Sequence, residues 1–313
     1  TMHKIHAKAF ERGDFSCDRL DEEVTVTAAM VAGVTGRSMH LADGEKLTVR
    51  DLLYAALCGG YNDAACVLAC LSSGSVAAFV EAMNTEAQRL GTLHTRYTNP
   101  TGLHDPAMCT TARDIAIIAR EAYANDLYMR ISSERTYTIP PTNVADERLF
   151  SNRNALISDS SQNYYNGYCK GMNAGMTDEG GWCTVTLAER EGDRYLCVVM
   201  GADEDENYIY SYKITNDLVK WACNSFATRQ VLKAGEATIQ VPVENTGLFG
   251  LEIDVCTKDA LTVYLPRDAS DENLIVRCHL SQTSLQAPVK AGQAVGVITV
   301  YYGDVPLGSV EAI

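Results

Sequence analysis

Apolar residues recur at helical spacing through most of the first 124 positions of this chain. The pattern predicts a short strand over residues 23–27 and helices over residues 1–12, 48–59, 63–71, 76–90 and 112–124. Thr48 is a typical N-cap residue, as are Thr110 and Thr111 before the last of these helices, and Gly91 is a typical C-cap. The first part of the chain is therefore expected to be mainly helical.

After residue 124, apolar residues recur at every second position, which is the spacing typical of strands. Strands are predicted over residues 136–139, 182–187 and 195–200, with a turn around Gly192, and a helix over residues 207–225. Beyond Val231 the pattern is all strand, over residues 237–241, 261–265, 274–278 and 295–301. We therefore predict an α+β fold with two domains. Residues 1–230 would place helices around an antiparallel sheet, and residues 231–313 would form a small β-sandwich.

Composition narrows the function. The net charge of -14 argues against nucleic-acid binding, which needs a positive surface, and against binding to bare anionic lipid. No apolar run approaches ~18 residues, so neither a transmembrane segment nor a signal peptide is predicted within the chain. The first residues already have a helical pattern, so we expect the natural N-terminus to lie upstream of Thr1.

The eleven cysteines cannot all pair internally, because their number is odd. Most lie in apolar runs, where a free cysteine behaves as a small hydrophobic residue, so mostly reduced thiols are expected. Cys66 and Cys70 are four positions apart on a predicted helix, but no histidine or second cysteine pair has zinc-binding spacing. No metal or other cofactor is predicted.

A series of segments then appears in a fixed order. They are residues 47–54 (LTVRDLLY), 62–65 (NDAA), 79–84 (FVEAMN), 99–103 (NPTGL), 110–114 (TTARD), 152–154 (NRN) and 171–181 (GMNAGMTDEGG). Together they resemble the D-alanyl-D-alanine carboxypeptidases, the low-molecular-mass penicillin-binding proteins, which are serine peptidases. The resemblance covers nearly the whole chain. It implies a β-lactamase/transpeptidase-like domain followed by a small all-β domain.

The resemblance also implies three motifs around one groove: Ser-x-x-Lys, Ser-x-Asn and Lys-Thr-Gly. The second reads Gly60-Tyr61-Asn62 here, so the asparagine remains and the serine hydroxyl is missing. The third reads Asn173-Ala174-Gly175, so only the glycine remains. These six positions are the expected substrate-binding residues, and Asn62 is also an expected catalytic residue. In the family the lysine and threonine of the third motif hold the substrate's terminal carboxylate, and losing them should cost charge-assisted binding.

Lys170 is a candidate substitute for the missing cation. It lies three positions before Asn173. On a regular strand this offset directs the two side chains to opposite faces, which argues against the substitution.

The first motif is open to two interpretations. Thr1 and Lys4 have the Ser-x-x-Lys spacing, with threonine as the nucleophile. Alternatively, residues 5–13 match later turns of the family's helix, which places the Ser-x-x-Lys upstream of Thr1. A third idea, an N-terminal threonine hydrolase that uses its own amine as base, finds no other support, because Thr1 precedes a helix rather than a strand.

Three functions follow from the resemblance. The first is a catalytically impaired carboxypeptidase-like protein that binds peptidoglycan stem peptide, a β-lactam-like ligand or a cell-wall protein partner. The second is an active serine-type D-Ala-D-Ala carboxypeptidase that removes the terminal D-Ala. The third is a purely structural role. The resemblance also implies a bacterial protein of the cell envelope, outside the cytoplasm.

Overall fold

The computed structural model describes residues 19–158, 163–247, 251–282 and 284–313. The chain forms two compact units that divide between Lys220 and Trp221. We call them the first and the second unit. The predicted helix over residues 1–12 lies outside the described residues. The sequence pattern placed the boundary near Gln230, ten positions later than the observed division.

The first unit contains more helix than strand in its described residues. The helices are α1 (Ala28–Val31), α2 (Val49–Tyr54), a π-helix (Ala55–Gly59), α3 (Asn62–Ser73), α4 (Val76–Arg89), α5 (Ala112–Tyr123), α6 (Asp126–Ser132), a 3₁₀ turn (Ala155–Ile157) and α7 (Tyr210–Ser225), which crosses the boundary. Local chemistry sets where several of them begin. Thr48 and Asp51 form a capping box at α2, and the side chains of Ser75, Thr111 and Asn125 cap α4, α5 and α6. The predicted caps at Thr48 and Thr111 are confirmed.

The strands of the first unit are all antiparallel. β1 (Glu23–Thr25) pairs with β2 (Lys46–Thr48), and β3 (Thr136–Ile139) pairs with β4 (Arg148–Ser151). β5 (Cys169–Thr177), β6 (Gly181–Arg190) and β7 (Asp193–Ala202) form a three-stranded sheet in that order. Glu191 and Gly192 both have positive φ at the tight β6–β7 turn, as a two-residue hairpin of primed type requires. Within the described residues, β5 is an edge strand of this sheet.

The core of the first unit surrounds α2, the π-helix and α3. Leu52, Leu68, Phe79, Ile131 and Met172 are among its fully buried side chains. α3 is apolar on nearly all faces, as expected for a helix inside the domain. The loop that carries Gly60 leaves this buried helix pair directly, so its backbone is held by the core.

One ion pair is also buried in the first unit. The Glu45 carboxylate is 1% exposed and bonds Arg148, the hydroxyl of Thr142 and the backbone amide of Ala42. A buried carboxylate needs partners of this kind, since removing it from water is costly.

The second unit is all-β after the end of α7. It contains β8 (Phe226–Leu232), β9 (Ala237–Glu244), β10 (Glu252–Cys256), β11 (Leu261–Pro266), β12 (Leu274–Leu280), β13 (Leu285–Gln286), β14 (Gly296–Tyr302) and β15 (Val305–Ala312), with a 3₁₀ turn (Asp271–Asn273). The sheet orders are β10-β9-β13, β11-β8 and β12-β14-β15. Alternating residues such as Leu261, Val263 and Leu265 line its separate core. The α+β fold class with a small all-β second part is confirmed.

Candidate functional site

The Gly60 loop ends the π-helix and begins α3. Gly60 has φ +68° and ψ +34°, a left-handed conformation that glycine adopts with little strain. The Tyr61 amide donates to the carbonyl of Ala55, 3.1 Å away, which closes the loop. The sequence predicted a helix ending near Gly59, and it does so, although its last turn is π-helical.

Arg153 occupies the space beside Gly60. A Cβ atom built on Gly60 would lie 2.5 Å from Cδ and 3.5 Å from Nη1 of Arg153. This is closer than two carbon atoms approach without one of them moving. The missing serine side chain is thus replaced in space by an arginine from a distant part of the chain.

A second arginine, Arg37, also contacts this loop. The Nε of Arg37 donates to the carbonyl of Gly59 at 2.6 Å, and its guanidinium lies 4.6 Å from the ring centre of Tyr61. The Tyr61 ring also packs edge-on against Phe150, with ring centres 5.4 Å apart. Stacking on an aromatic face and a hydrogen bond together fix the orientation of the Arg37 guanidinium.

Asn62 and Asp63, at the start of α3, hold the loop that carries Arg37. The Asn62 side-chain amide donates to the carbonyl of Thr35 at 2.8 Å. The buried Asp63 carboxylate accepts from the hydroxyl of Ser38 and from the backbone amides of Met39, Leu41 and Ala64. Asn62 therefore has a clear positioning role, because one of its two amide hydrogens is committed to the 35–41 loop.

The third motif lies on β5. Asn173 is exposed, Ala174 is buried, and a Cβ atom on Gly175 would meet no atom within 4 Å. Ala174 pairs with Thr184, whose hydroxyl donates to Ser211 at 2.8 Å. All three positions of the motif lie inside the nine-residue strand β5.

β5 contains a bulge just before the motif. Gly171 (φ +114°) and Met172 (φ +88°) both have positive φ, and the register with β6 shifts between Cys169 and Met172. Regular alternation therefore does not extend from Lys170 to Asn173, and both side chains are exposed. The prediction that they point to opposite faces assumed an unbroken strand. Its premise fails here, so the offset alone no longer argues against Lys170.

The segment Asn152–Asn154 connects the two motif positions. The Asn152 side chain donates to the carbonyls of Ser132 and Glu134, at 3.0 and 2.8 Å. The fully buried Asn154 donates to the carbonyl of Gly171, at the start of β5, at 3.2 Å. Arg153, between these two anchors, contacts Gly60. Both neighbours of Arg153 are thus fixed by hydrogen bonds, and so is its approach to the loop.

The arginine pair carries unbalanced positive charge. Neither Arg37 nor Arg153 forms an ion pair with any carboxylate that the structure describes. Burial, and then the charge of Arg37, lower the pKa of Arg153, while Tyr212 acts in the opposite direction. Arg37 and Arg153 are therefore two cations close to one loop with no counter-charge among the described residues.

The predicted site residues therefore divide into three groups. Thr1 and Lys4 lie outside the described residues. Gly60, Tyr61 and Asn62 form one loop, and Asn173, Ala174 and Gly175 form another surface on β5. The sequence assigned no role to Arg37 or Arg153. The only signal was that Arg153 belongs to the Asn152-Arg153-Asn154 segment of the resemblance, whereas Arg37 lies in a loop without periodicity.

With this geometry described, comparison with known proteins is informative. A family model for D-alanyl-D-alanine carboxypeptidase matches residues 11–204, which is more than half of the chain. The chain belongs to this family. A model for the C-terminal domain of penicillin-binding protein 5 matches residues 226–313. The two matched ranges cover most of the first and of the second unit.

Among similar proteins, D-alanyl-D-alanine carboxypeptidase DacA of Haemophilus influenzae is 30% identical over 263 residues, covering 83% of this chain and 62% of the relative. DacF of Bacillus subtilis is 26% identical over 87% of this chain and 67% of its own length. The crystal structure of penicillin binding protein 5 from Haemophilus influenzae has a TM-score of 0.74 at 24% identity, over 99% of this chain and 86% of that one. The chain spans about two thirds of the length of these curated relatives.

Two further observations describe what the site and its surroundings contain. Over the described ranges, no group of three or more His, Cys, Asp or Glu side chains could hold a metal ion. In the same ranges, no single helix is long and apolar enough to cross a membrane. α3 and α4 pass that test only as a pair bent by 81°.

The described site therefore offers a hydrogen-bonding strand edge, open space at Gly175 and two guanidinium groups across Gly60. These groups can bind and orient a ligand with a carboxylate.

Proposed function

We propose that this carboxypeptidase-family protein binds peptidoglycan stem peptides that end in D-Ala-D-Ala, with little or no hydrolysis. It would act outside the cytoplasm, in the cell envelope of a bacterium, through the peptide itself or through a cell-wall protein partner. The observation that supports this most strongly is the chemistry at the two motif positions. Glycine, asparagine and alanine stand where the family has hydroxyl, cation and hydroxyl, and Arg153 occupies the space beside Gly60.

The expected kinetic effect of these changes is large. The serine hydroxyl missing at Gly60 is a positioned proton-transfer group, which contributes about 10²–10⁴-fold to the rate. The lysine and threonine missing from the third motif would orient the substrate through its terminal carboxylate. Loss of both would leave turnover slow even with a working nucleophile. Binding needs less, because β5 is an edge strand whose backbone can still form hydrogen bonds with a peptide.

A second candidate is an active D-Ala-D-Ala carboxypeptidase. It is favoured by the extended edge strand β5 and by the open space at Gly175, where substrate backbone could approach. In this case a Ser-x-x-Lys upstream of Thr1, or Thr1 with Lys4, would supply the nucleophile and the base.

Fluorescent penicillin distinguishes the two candidates. The full-length protein is incubated with fluorescent penicillin, denatured and resolved on a gel. An active family member is the positive control. We expect no covalent label. Label that survives denaturation would overturn the binding-only proposal in favour of the active one.

Restoring the motif chemistry provides a second arm. The triple variant Gly60→Ser, Asn173→Lys and Ala174→Thr reintroduces the hydroxyls and the cation. Labelling of the triple variant but not of the natural protein would locate the impairment at these three positions.

A further inference from the structure

Arg37 and Arg153 are two cations that lie close to Gly60. The family holds the substrate carboxylate with a lysine and a threonine, and those positions are Asn173 and Ala174 in this chain. A peptide that ends in D-Ala still brings a negative terminal charge. The described residues of the proposed groove therefore need another cation if that charge is to be balanced.

Arg37 has no carboxylate partner among the described residues, so its charge is available to a ligand. Its Nε donates to the carbonyl of Gly59, its guanidinium carbon lies 4.6 Å from the centre of the Tyr61 ring, and its Nη2 lies 3.5 Å from the Tyr61 hydroxyl. The residue as a whole is exposed. Its Nη1 has no hydrogen-bond partner among the described residues and is available to a ligand.

Arg153 contacts the same loop at Gly60. Its side chain is half-buried against Gly60, yet it makes no hydrogen bond to any described residue. Partial burial disfavours the charged form of the Arg153 side chain, and the nearby charge of Arg37 adds repulsion. A bound anion would relieve both costs at once.

Carboxylate is the anion that the geometry favours. Guanidinium is planar and carries parallel N–H groups, which match the two oxygens of a carboxylate. Gly60 is also the position that replaces the serine of the second motif, so the pair borders the expected path of the substrate.

We propose that Arg37 and Arg153 form a carboxylate-binding site across Gly60, which takes the terminal carboxylate of a D-Ala-D-Ala peptide in place of the lost lysine and threonine. This inference rests on the proposed function, since it names the groups that would hold the same ligand. The carboxylate would then be bound by the arginine pair and not at the edge of β5.

The test compares two probes by calorimetry: diacetyl-L-Lys-D-Ala-D-Ala as the free acid and as the C-terminal amide. The natural protein is expected to bind the acid about tenfold more tightly than the amide, the scale of one charge-assisted contact in a partly exposed site. Arg153→Gln and Arg37→Gln should each remove most of this preference. Arg120→Gln is the matched control, because Arg120 is exposed on α5 and has no ion pair among the described residues. It should leave the preference unchanged.

The result also separates the two proposals. Equal affinity for acid and amide in the natural protein, or a preference that survives both arginine variants, would overturn the arginine site while the peptide-binding function stands. If neither peptide binds, the proposed function fails, and an acetate titration then decides the arginine pair. Acetate protection of the natural protein against thermal unfolding that is lost in Arg153→Gln would support an anion site. Equal protection of the two proteins, or none, would overturn it.

A folding control is built into the series. Arg153→Gln removes one of two repelling charges, so its melting temperature without ligand should equal or exceed that of the natural protein. Arg153→Lys keeps the charge but loses the parallel N–H donors of the guanidinium, so it should keep only part of the preference for the acid. If Arg153→Lys retained the full preference, the bidentate arrangement would be wrong.

Discussion

Replacing Gly60 with serine should destabilise the first unit by about 1.5–3.5 kcal/mol, and the size of the effect follows from two local costs. Gly60 has φ +68°, and a residue with a Cβ atom pays about 1–2 kcal/mol in the left-handed region. The new Cβ would also lie 2.5 Å from Cδ of Arg153, which must leave its present conformation. A displaced side chain of this kind costs about 0.5–1.5 kcal/mol.

A matched variant separates the two costs. Gly74 also follows a helix and has φ +81°, but a Cβ atom there would meet nothing within 4 Å. Gly74→Ser should therefore show the backbone cost alone, about 1–2 kcal/mol. A double-mutant cycle between Gly60→Ser and Arg153→Ala should recover about 0.5–1.5 kcal/mol of favourable coupling, because the alanine no longer obstructs the serine.

Urea unfolding followed by the helical circular dichroism signal is the suitable assay. α1–α6 all lie in the first unit, so this signal reports mainly on that unit. Equal losses in Gly60→Ser and Gly74→Ser, with coupling to Arg153→Ala within about 0.3 kcal/mol of zero, would refute the placement of Arg153 beside Gly60.

Three further predictions concern groups around the same unit. Glu45→Gln breaks a buried ion pair with Arg148 and should cost about 3–5 kcal/mol in urea unfolding, against at most about 1 kcal/mol for Glu23→Gln in an exposed pair. Burial, and then Glu134, raise the pKa of the Cys58 thiol to about 12 from 9.0. The folded state therefore holds this proton longer, and the unfolding free energy should fall above pH 9 by up to about 1.4 kcal/mol per pH unit, more steeply than in Cys58→Ala. Asp63→Asn weakens the hydrogen bonds that hold the 35–41 loop, so calorimetry should show lower affinity for the peptide acid while the amide is little affected.

Much of the fold was predictable because its signals are local. A hydroxyl before a helix can cap it wherever the rest of the chain lies, and Thr48 and Thr111 do so. The strand Thr136–Ile139 was predicted with its observed limits, as was the turn at Gly192. The short helix Asp126–Ser132 was missed, since seven residues are too few to establish a helical period.

In the second unit, strand prediction is limited because a pairing between distant segments has no local signal in the sequence. β8 (Phe226–Leu232) directly follows α7, without glycine or proline between them. Its partner β11 is far along the sequence, and the pairing rather than the local pattern makes it part of the second unit. The observed division therefore precedes the predicted one near Gln230.

The candidate site also has features that the sequence predicts and features that it does not. The sequence alone identified the altered residues at both motif positions, because the neighbouring segments fix their alignment. It did not reveal that Arg153 lies beside Gly60, since that contact depends on how Asn152 and Asn154 are anchored. Nor did it reveal the bulge at Met172, whose positive φ has no signature in a methionine.

The central claim is that this family member binds D-Ala-D-Ala peptide without turning it over, and one experiment tests it most directly. The full natural protein is mixed with a small excess of diacetyl-L-Lys-D-Ala-D-Ala, and bound peptide and released D-alanine are measured in the same sample over several hours. We expect saturable binding and less than one D-alanine released for each protein molecule. Many D-alanine molecules released per protein molecule would contradict the claim and establish an active carboxypeptidase. Absence of binding would contradict it as well.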